Sequence, residues 1–433
     1  MEMIAKLNIP RQVLFVAIPF MVMVLPFFLP GTTGANPGDL YVSPAGISLD
    51  CTQADPCDLA TAIQKAMDTD TIYLAGGVYH SSGDAVVSIT RDVSLYGGWD
   101  GSPIGAAQRD PSLYKSILDG QQARRVVVIS SGAAPVLMDL VITNGYGDYS
   151  GGGVHSAASH PTIQGCTIQD NHADGDGGGI FINGGSALIV NNRIISNSGN
   201  WAGGMRIINN AQVVVEGNLV WGNTANNTGG GIDIDCCGGT VAKVERNFIS
   251  GNSAGTAGGG MVIASTNARL VNNILSGNTA PEGAGIYLDG MEGYLVDVDL
   301  INNTLSGLTS NDHAIYLNEY TTASLINNIL AKFTTGIHDN DPLSNVLNAD
   351  FNLFYNASDP IVGTNVVLAD PLLDAGYHLT WGSPAIDAGS VVENSIDIDG
   401  EARPNGSFDL GADEYYPSLY LPLLISNGSG MMP

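Results

Sequence analysis

Residues 177–197 read Gly-Gly-Gly-Ile-Phe-Ile-Asn-Gly-Gly-Ser-Ala-Leu-Ile-Val-Asn-Asn-Arg-Ile-Ile-Ser-Asn, and the opening phrase returns along much of the chain. It appears as Gly-Gly-Gly-Val-His at 151–155, Ala-Gly-Gly-Met-Arg-Ile at 202–207, Gly-Gly-Gly-Ile-Asp-Ile at 229–234 and Gly-Gly-Gly-Met-Val-Ile at 258–263. Degenerate copies follow as Gly-Ala-Gly-Ile-Tyr-Leu at 283–288, His-Ala-Ile-Tyr-Leu at 313–317 and Thr-Gly-Ile-His at 335–338. The step is 25 to 29 residues until the last, which is 22. A repeat of that length signals a stacked fold in which each unit buries its apolar face against its neighbours.

Within each repeat the apolar residues alternate, as in Ile180 and Ile182, Met205 and Ile207, Ile232 and Ile234, Met261 and Ile263, Ile286 and Leu288, and Ile315 and Leu317. Period two is that of a strand with one buried face. A second alternating run follows, at 187–190, 212–215, 241–244, 268–271, 295–298 and 324–326, and then a third, such as Asn192 to Asn197 and Asn218 to Asn223. Three short strands per repeat predict an all-β solenoid, one coil of a parallel β-helix per repeat, with rungs about 4.8 Å apart and right-handed crossovers. Asn tolerates left-handed backbone and its amide can bond to the next rung, so Asn144, Asn171, Asn197, Asn223, Asn252 and Asn278 are expected to form a ladder at one corner.

Composition agrees. Gly numbers 56 of 433 residues, charged residues make only 13%, and hydrophobic residues 44%. Acids outnumber bases 42 to 15, giving a net charge of −27. Such a surface repels a phosphate backbone, which excludes nucleic acid as the expected partner and leaves cations, sugars or a basic surface.

Lys6 and Arg11 precede an apolar stretch from Val13 to Leu29 and the small residues up to Ala35. Residues 1–35 are therefore expected to be an export signal, or an N-terminal membrane anchor if uncleaved, and the chain to be secreted or at the cell surface. In an oxidising compartment Cys51 and Cys57 are expected to pair, whereas Cys166, Cys236 and Cys237 lack the spacing of a zinc site. Residues 36–70 should form an N-terminal cap, with a short helix capped by Asp58 and apolar at Leu59, Ile63 and Met67. Such a cap hides the open end of the first coil.

If the alternating residues line the lumen, their neighbours face out. That gives one column of Phe181, Arg206, Asp233, Val262, Tyr287, Tyr316 and His338, and a second of Asn183, Ile208, Asp235, Ala264, Asp289 and Asn318. Aromatic rings can pack on sugar faces while carboxylates and amides bond to hydroxyls. Phe181, Arg206, Asp233, Asp235, Tyr287, Asp289 and Tyr316 are thus the candidate carbohydrate contacts.

The phrase Gly-Gly-Gly-Ile-x-Ile followed by Asn-x-Ile-Ile-Ser-x-Asn resembles the right-handed parallel β-helix proteins of pectate-lyase-like shape, over about residues 71–360. The resemblance implies fold far more than activity. In lyases of similar shape, acidic residues hold Ca²⁺ against a uronate while an Arg or Lys removes a proton. Arg206, Asp233 and Asp235 are therefore the candidate catalytic trio of an alternative reading, a polysaccharide lyase or glycoside hydrolase acting on acidic polysaccharide. An exposed ion pair is the plainer account of those three.

Ser383-Pro384-Ala385-Ile386-Asp387, Asp397-Ile398-Asp399-Gly400, Arg403-Pro404 and Asp409-Leu410-Gly411-Ala412-Asp413-Glu414-Tyr415 are similar to the terminal segment of choice-of-anchor proteins of the Q type. The resemblance implies export and an irregular C-terminal cap over 361–416, followed by a tail at 417–433 whose apolar patch, Leu419 to Ile425, is too short to span a bilayer. Asp397 and Asp399 alternate like the opening of a calcium loop, although Gly406 stands where its closing Glu would be. They are the metal candidates, with Ca²⁺ the only cofactor suggested. His172, Asp174 and Asp176 form a second polar cluster at an expected corner. No Asn-Thr-Asp, Asp-Asp and Gly-His-Gly set of the polygalacturonase type is present. The leading expectation is a non-catalytic surface protein that binds carbohydrate or another surface. A rigid spacer of about 50 to 60 Å is the third reading.

Overall fold

A computed structural model describes residues 38–209, 211–235, 241–308, 312–357 and 363–417. The expected export segment, Cys236, Cys237 and the apolar patch of the tail lie outside these residues. Strand pairing among the described residues is overwhelmingly parallel, each coil lying directly on the next. Ile180 pairs with Met205, Met205 with Ile232, Ile232 with Met261, Met261 with Ile286 and Ile286 with Ile315. The side chains at these positions and two residues on are fully buried in one continuous apolar lumen.

Each coil has three walls. The Gly-phrase wall carries strands such as Met205–Ile208 and Ile232–Asp235. The second wall carries Gln212–Glu216 and Val241–Glu245. The third carries Leu219–Trp221 and Phe248–Ser250 and forms a 12-stranded sheet. The structure adds an element that alternation does not reveal. Two-residue strands at Tyr146–Gly147, His172–Ala173, Ser198–Gly199, Thr224–Ala225 and Ser253–Ala254 make a narrow fourth strip between the third wall and the next Gly phrase.

Two asparagine ladders stitch the coils together. The expected one runs through Asn171, Asn197, Asn223, Asn252 and Asn278. Asn144 is not part of it, because Gly145 takes the ladder position and donates its N–H to Asn171 Oδ1 at 2.8 Å. Asn144 instead holds the left-handed backbone of the corner. A second ladder, hidden in the third sequence run, passes through Asn192, Asn218, Asn247, Asn273, Asn303, Asn328 and Asn352. Asn303 is therefore fully buried.

The chemistry of one ladder member explains the repeat. Asn223 donates from its main chain and from Nδ2 to Asn252 Oδ1, and also from Nδ2 to Ile194 O at 2.9 Å. Its own Oδ1 accepts from the main chain and Nδ2 of Asn197. Asn223→Ala leaves several fully buried groups without partners, at about 1–3 kcal/mol each before relaxation. We expect a loss of about 2–4 kcal/mol in urea unfolding. A loss below about 0.5 kcal/mol would show that the ladder does not hold the corner.

The ends differ from expectation in detail. The helix runs Leu59–Lys65, with Asp58 accepting the Thr61 N–H at 2.7 Å, but Ala66 takes extended backbone and leaves Met67 exposed. Asp39–Val42 already pairs with Thr71–Ala75, so the solenoid begins inside the region expected to be only cap. At the other end Val367–Leu368 still pairs with Leu353–Tyr355, past residue 360. The remaining C-terminal segment does not simply close the open end. It runs back along the outside of the coil, where Asn327, Asn302 and Asn272 present their amides to Ser390, Asp409 and Ile396. These three Asn have left-handed backbone and immediately precede ladder members, so one residue of each Asn-Asn pair faces inward and the other outward. No helix among the described residues is long and apolar enough to cross a membrane.

Candidate functional site

The outward column of the Gly-phrase wall does point away from the lumen. Val262, Tyr287 and Tyr316 pack with Ala257 in a cluster of their own, separate from the core that contains Ile286 and Leu288. The expectation that these residues stand in water is corrected, however. Phe181, Asp233, Tyr287 and Tyr316 are only 3%, 2%, 8% and 7% exposed. For Asp233, as for Val262, the cause is the Gly phrase itself. Gly229 and Gly258 hold left-handed backbone that folds the corner onto the side chain four residues later, and a Cβ on either would collide with Asp233 or Val262. Alternation decides which residues leave the lumen, but not which chain segment then lies over them. Stacked along the column, the rings cover one another: His155 on Phe181, Tyr287 on Tyr316 at 5.4 Å, and Tyr316 on His338 at 4.7 Å.

Arg206 sits among three carboxylates. Its guanidinium lies 3.3 Å from Asp176, 3.0 Å from Asp233 and 3.4 Å from Asp235. Thr228 donates its hydroxyl to the same Asp233 Oδ2 at 2.9 Å, while Asp233 Oδ1 is buried without a hydrogen-bond partner. Burial pushes all three carboxyls above their ordinary range, and Arg206 partly opposes that shift in each. Parallel register explains the convergence. Arg206 pairs across the rungs with Asp233, Ile208 with Asp235, and the corner carrying Asp176 bridges to Trp201. The expected pairing of Arg206 with Asp233 and Asp235 is present, but as a partly buried cluster and not as an exposed ion pair.

Trp201 completes this corner and has no counterpart in the sequence reading. Its indole stacks over the Arg206 guanidinium at 5.3 Å and is 41% exposed, more than any ring of the outward column. Beside it, Asn227 donates to Asn200 at 3.0 Å, continuing an amide row on the outside of the corner. The second outward column is likewise polar. Asn209 bonds to Asn183, while Asn318 donates to Asp289 and accepts from Asn340. Asp289 is held above its ordinary range by burial, with Asn318 opposing.

The other singled-out groups separate. His172 approaches Asp174 at 3.2 Å, but Asp176 belongs to the Arg206 cluster, so those three do not form one site. Cys51 and Cys57 are joined as a disulfide, and Cys166 is a buried free thiol whose burial raises its pKa to about 12. Asp397 is fully buried and accepts the N–H groups of Asp399 and Glu401 on Oδ1 and of Glu414 on Oδ2. It organises the turn, while Asp399 points to His378 at 2.9 Å.

Residues 115–280 match the family model described as "Right handed beta helix region". The chain is a right-handed parallel β-helix. No curated protein matches it. Among solved structures, that of pectate lyase Pel9A aligns with a TM-score of 0.55 at 15% identity, covering 89% of this β-helix and 98% of that chain. An alginate lyase from Paenibacillus sp. str. FPU-7 aligns at 0.47 and 15% identity, covering 72% and 98%. At such identity the likeness concerns the fold alone.

Proposed function

We propose that this β-helix is an exported protein, secreted or held at the cell surface, that binds a neutral glycan without cleaving it at the corner formed by Trp201, Arg206, Asp176 and Asp235. The resemblance of its C-terminal segment to choice-of-anchor proteins and the basic, then apolar, N-terminal residues support export. The observation that carries the binding reading is the half-exposed indole fixed on a guanidinium. A rigid aromatic platform offers apolar contact to a sugar face at little entropic cost, and the adjacent carboxylates and amides supply hydrogen bonds to hydroxyls.

The same corner argues against lyase chemistry. A base must be free to take a proton, and Arg206 is a permanently charged group enclosed by three carboxylates. Three acids against one base also repel a polyuronate unless further cations intervene. Recognition therefore falls to Trp201 and the corner instead of the covered rings Phe181, Tyr287 and Tyr316.

Retention of the purified chain on immobilised neutral glycans tests this. Trp201→Ala should weaken the retained interaction at least about tenfold, equivalent to about 1.4 kcal/mol, with the circular dichroism spectrum unchanged. Trp221→Ala, which removes a still more exposed ring from a different wall, should leave binding intact. Equal loss in both variants, or no loss in Trp201→Ala, would overturn the assignment.

A further inference from the structure

We propose that the C-terminal segment holds a divalent transition-metal ion of the zinc class through His378, Asp399 and Asp413. These residues come from three separate stretches of the non-repetitive segment. A ligand atom of each lies within 4.8 Å of the other two. Tetrahedral bonds of about 2.1 Å set donors about 3.4 Å apart, so the widest pair closes by up to about 1.4 Å while His378 Nε2 and Asp399, now 2.9 Å apart, open by about half an ångström to admit the ion. An imidazole with two carboxylates suits zinc and its neighbours, whereas Ca²⁺ takes oxygen ligands alone. The three donors leave a coordination position for water.

The surroundings are built like the support of a metal centre. Asp374 accepts the main-chain N–H groups of Gly376 and His378 and lies 3.5 Å from His378 Nδ1. A carboxylate on the far nitrogen fixes the ring and turns Nε2 toward the other two ligands, as carboxylate–histidine–metal triads do. Asp413 is 6% exposed and forms no ion pair within 4 Å among the described residues, and its one observed hydrogen bond is the Leu379 N–H to Oδ2 at 2.7 Å. This carboxylate, largely buried and held by one main-chain N–H, therefore faces an imidazole and a second carboxylate across a distance that an ion could bridge. Asp397, with its oxygens committed to the N–H groups of Asp399, Glu401 and Glu414, is a positioning residue that ties the Asp399 turn to the stretch carrying Asp413. Binding would staple three stretches of the segment together against the side of the coil.

The test uses the full chain, stripped with a chelator and dialysed. Titration with Zn²⁺ followed by calorimetry should show one ion per chain, and Co²⁺ should give a visible ligand-field band from an imidazole-carboxylate site. His378→Ala, a change at a half-exposed side chain, should bind Zn²⁺ at least tenfold more weakly and lose the Co²⁺ band, with the circular dichroism spectrum retained. Asp413→Asn should behave alike, and His172→Ala, an exposed histidine beside Asp174, should bind as the parent does. Failure of the parent chain to take up Zn²⁺ overturns the proposal. So does stoichiometric binding that survives His378→Ala, or that His172→Ala weakens as much. Glycan retention by the Trp201 corner is a separate readout that this site does not enter.

Discussion

Arg206→Met is expected to destabilise the β-helix by about 3–5 kcal/mol, the range for removing one partner of a buried ionic cluster. The variant leaves Asp233, 2% exposed, without its guanidinium, and leaves Asp176 and Asp235 facing it with no cation between them. The sign of the pH dependence follows from the direction of the shifts. All three carboxyls titrate above their ordinary value in the folded chain, so the folded state binds more protons than the unfolded state across the carboxylate range. Stability from these groups is fully present below the unfolded carboxylate pKa and falls as pH rises through the folded values. Without Arg206 the fall becomes larger, so the gap between parent and variant should be narrow near pH 4 and wide near pH 7, on the ordinary carboxylate scale. Urea unfolding at the two pH values measures it. A gap of the same size at both would mean that the cluster contributes packing and little charge compensation.

The second large effect is expected at Arg403→Met. Arg403 and Glu414 have fully buried side chains 3.3 Å apart. Arg403 also donates to Gly411 O at 2.8 Å, while Glu414 accepts the N–H groups of Asn405 and Asp409. Removing the guanidinium strands a carboxylate and a carbonyl in the interior of the segment, again at about 3–5 kcal/mol. Because the coil is quasi-one-dimensional and its ladders do not pass through Arg403, the loss should be local. Hydrogen exchange should show the segment 372–415 losing protection, while ladder amides such as Asn197 and Asn223 keep theirs. Loss of protection throughout the coil would show that the segment and the solenoid fold as one cooperative unit.

The Gly phrase and its alternating Ile, Met and Leu residues made the solenoid legible, because period two and a repeat near one coil leave few other ways to bury that surface. Asp58 was legible as a cap because its chemistry is local. The fate of the outward residues was not. Phe181, Asp233, Tyr287 and Tyr316 leave the lumen as alternation requires, yet the corner folded by left-handed Gly229 and Gly258 covers part of that column, a consequence of three-dimensional closure. The Asn pairs held a usable signal: one Asn of left-handed backbone and one ladder Asn recur at 191–192, 272–273, 302–303 and 327–328. Trp201 and the grouping of His378 with Asp399 and Asp413 depend on contacts between corners and between non-repetitive stretches, which no periodicity encodes.

The Trp201 corner is proposed to bind a glycan and leave it whole. The most direct measurement is prolonged incubation of the purified chain with neutral and acidic polysaccharides, with and without divalent cations, followed by assay of unsaturated and reducing ends. We predict no new ends with any of them, alongside retention on a neutral glycan that depends on Trp201. New unsaturated ends formed from a uronate polymer by the parent chain and abolished in Arg206→Lys would contradict it, and would place this β-helix among enzymes.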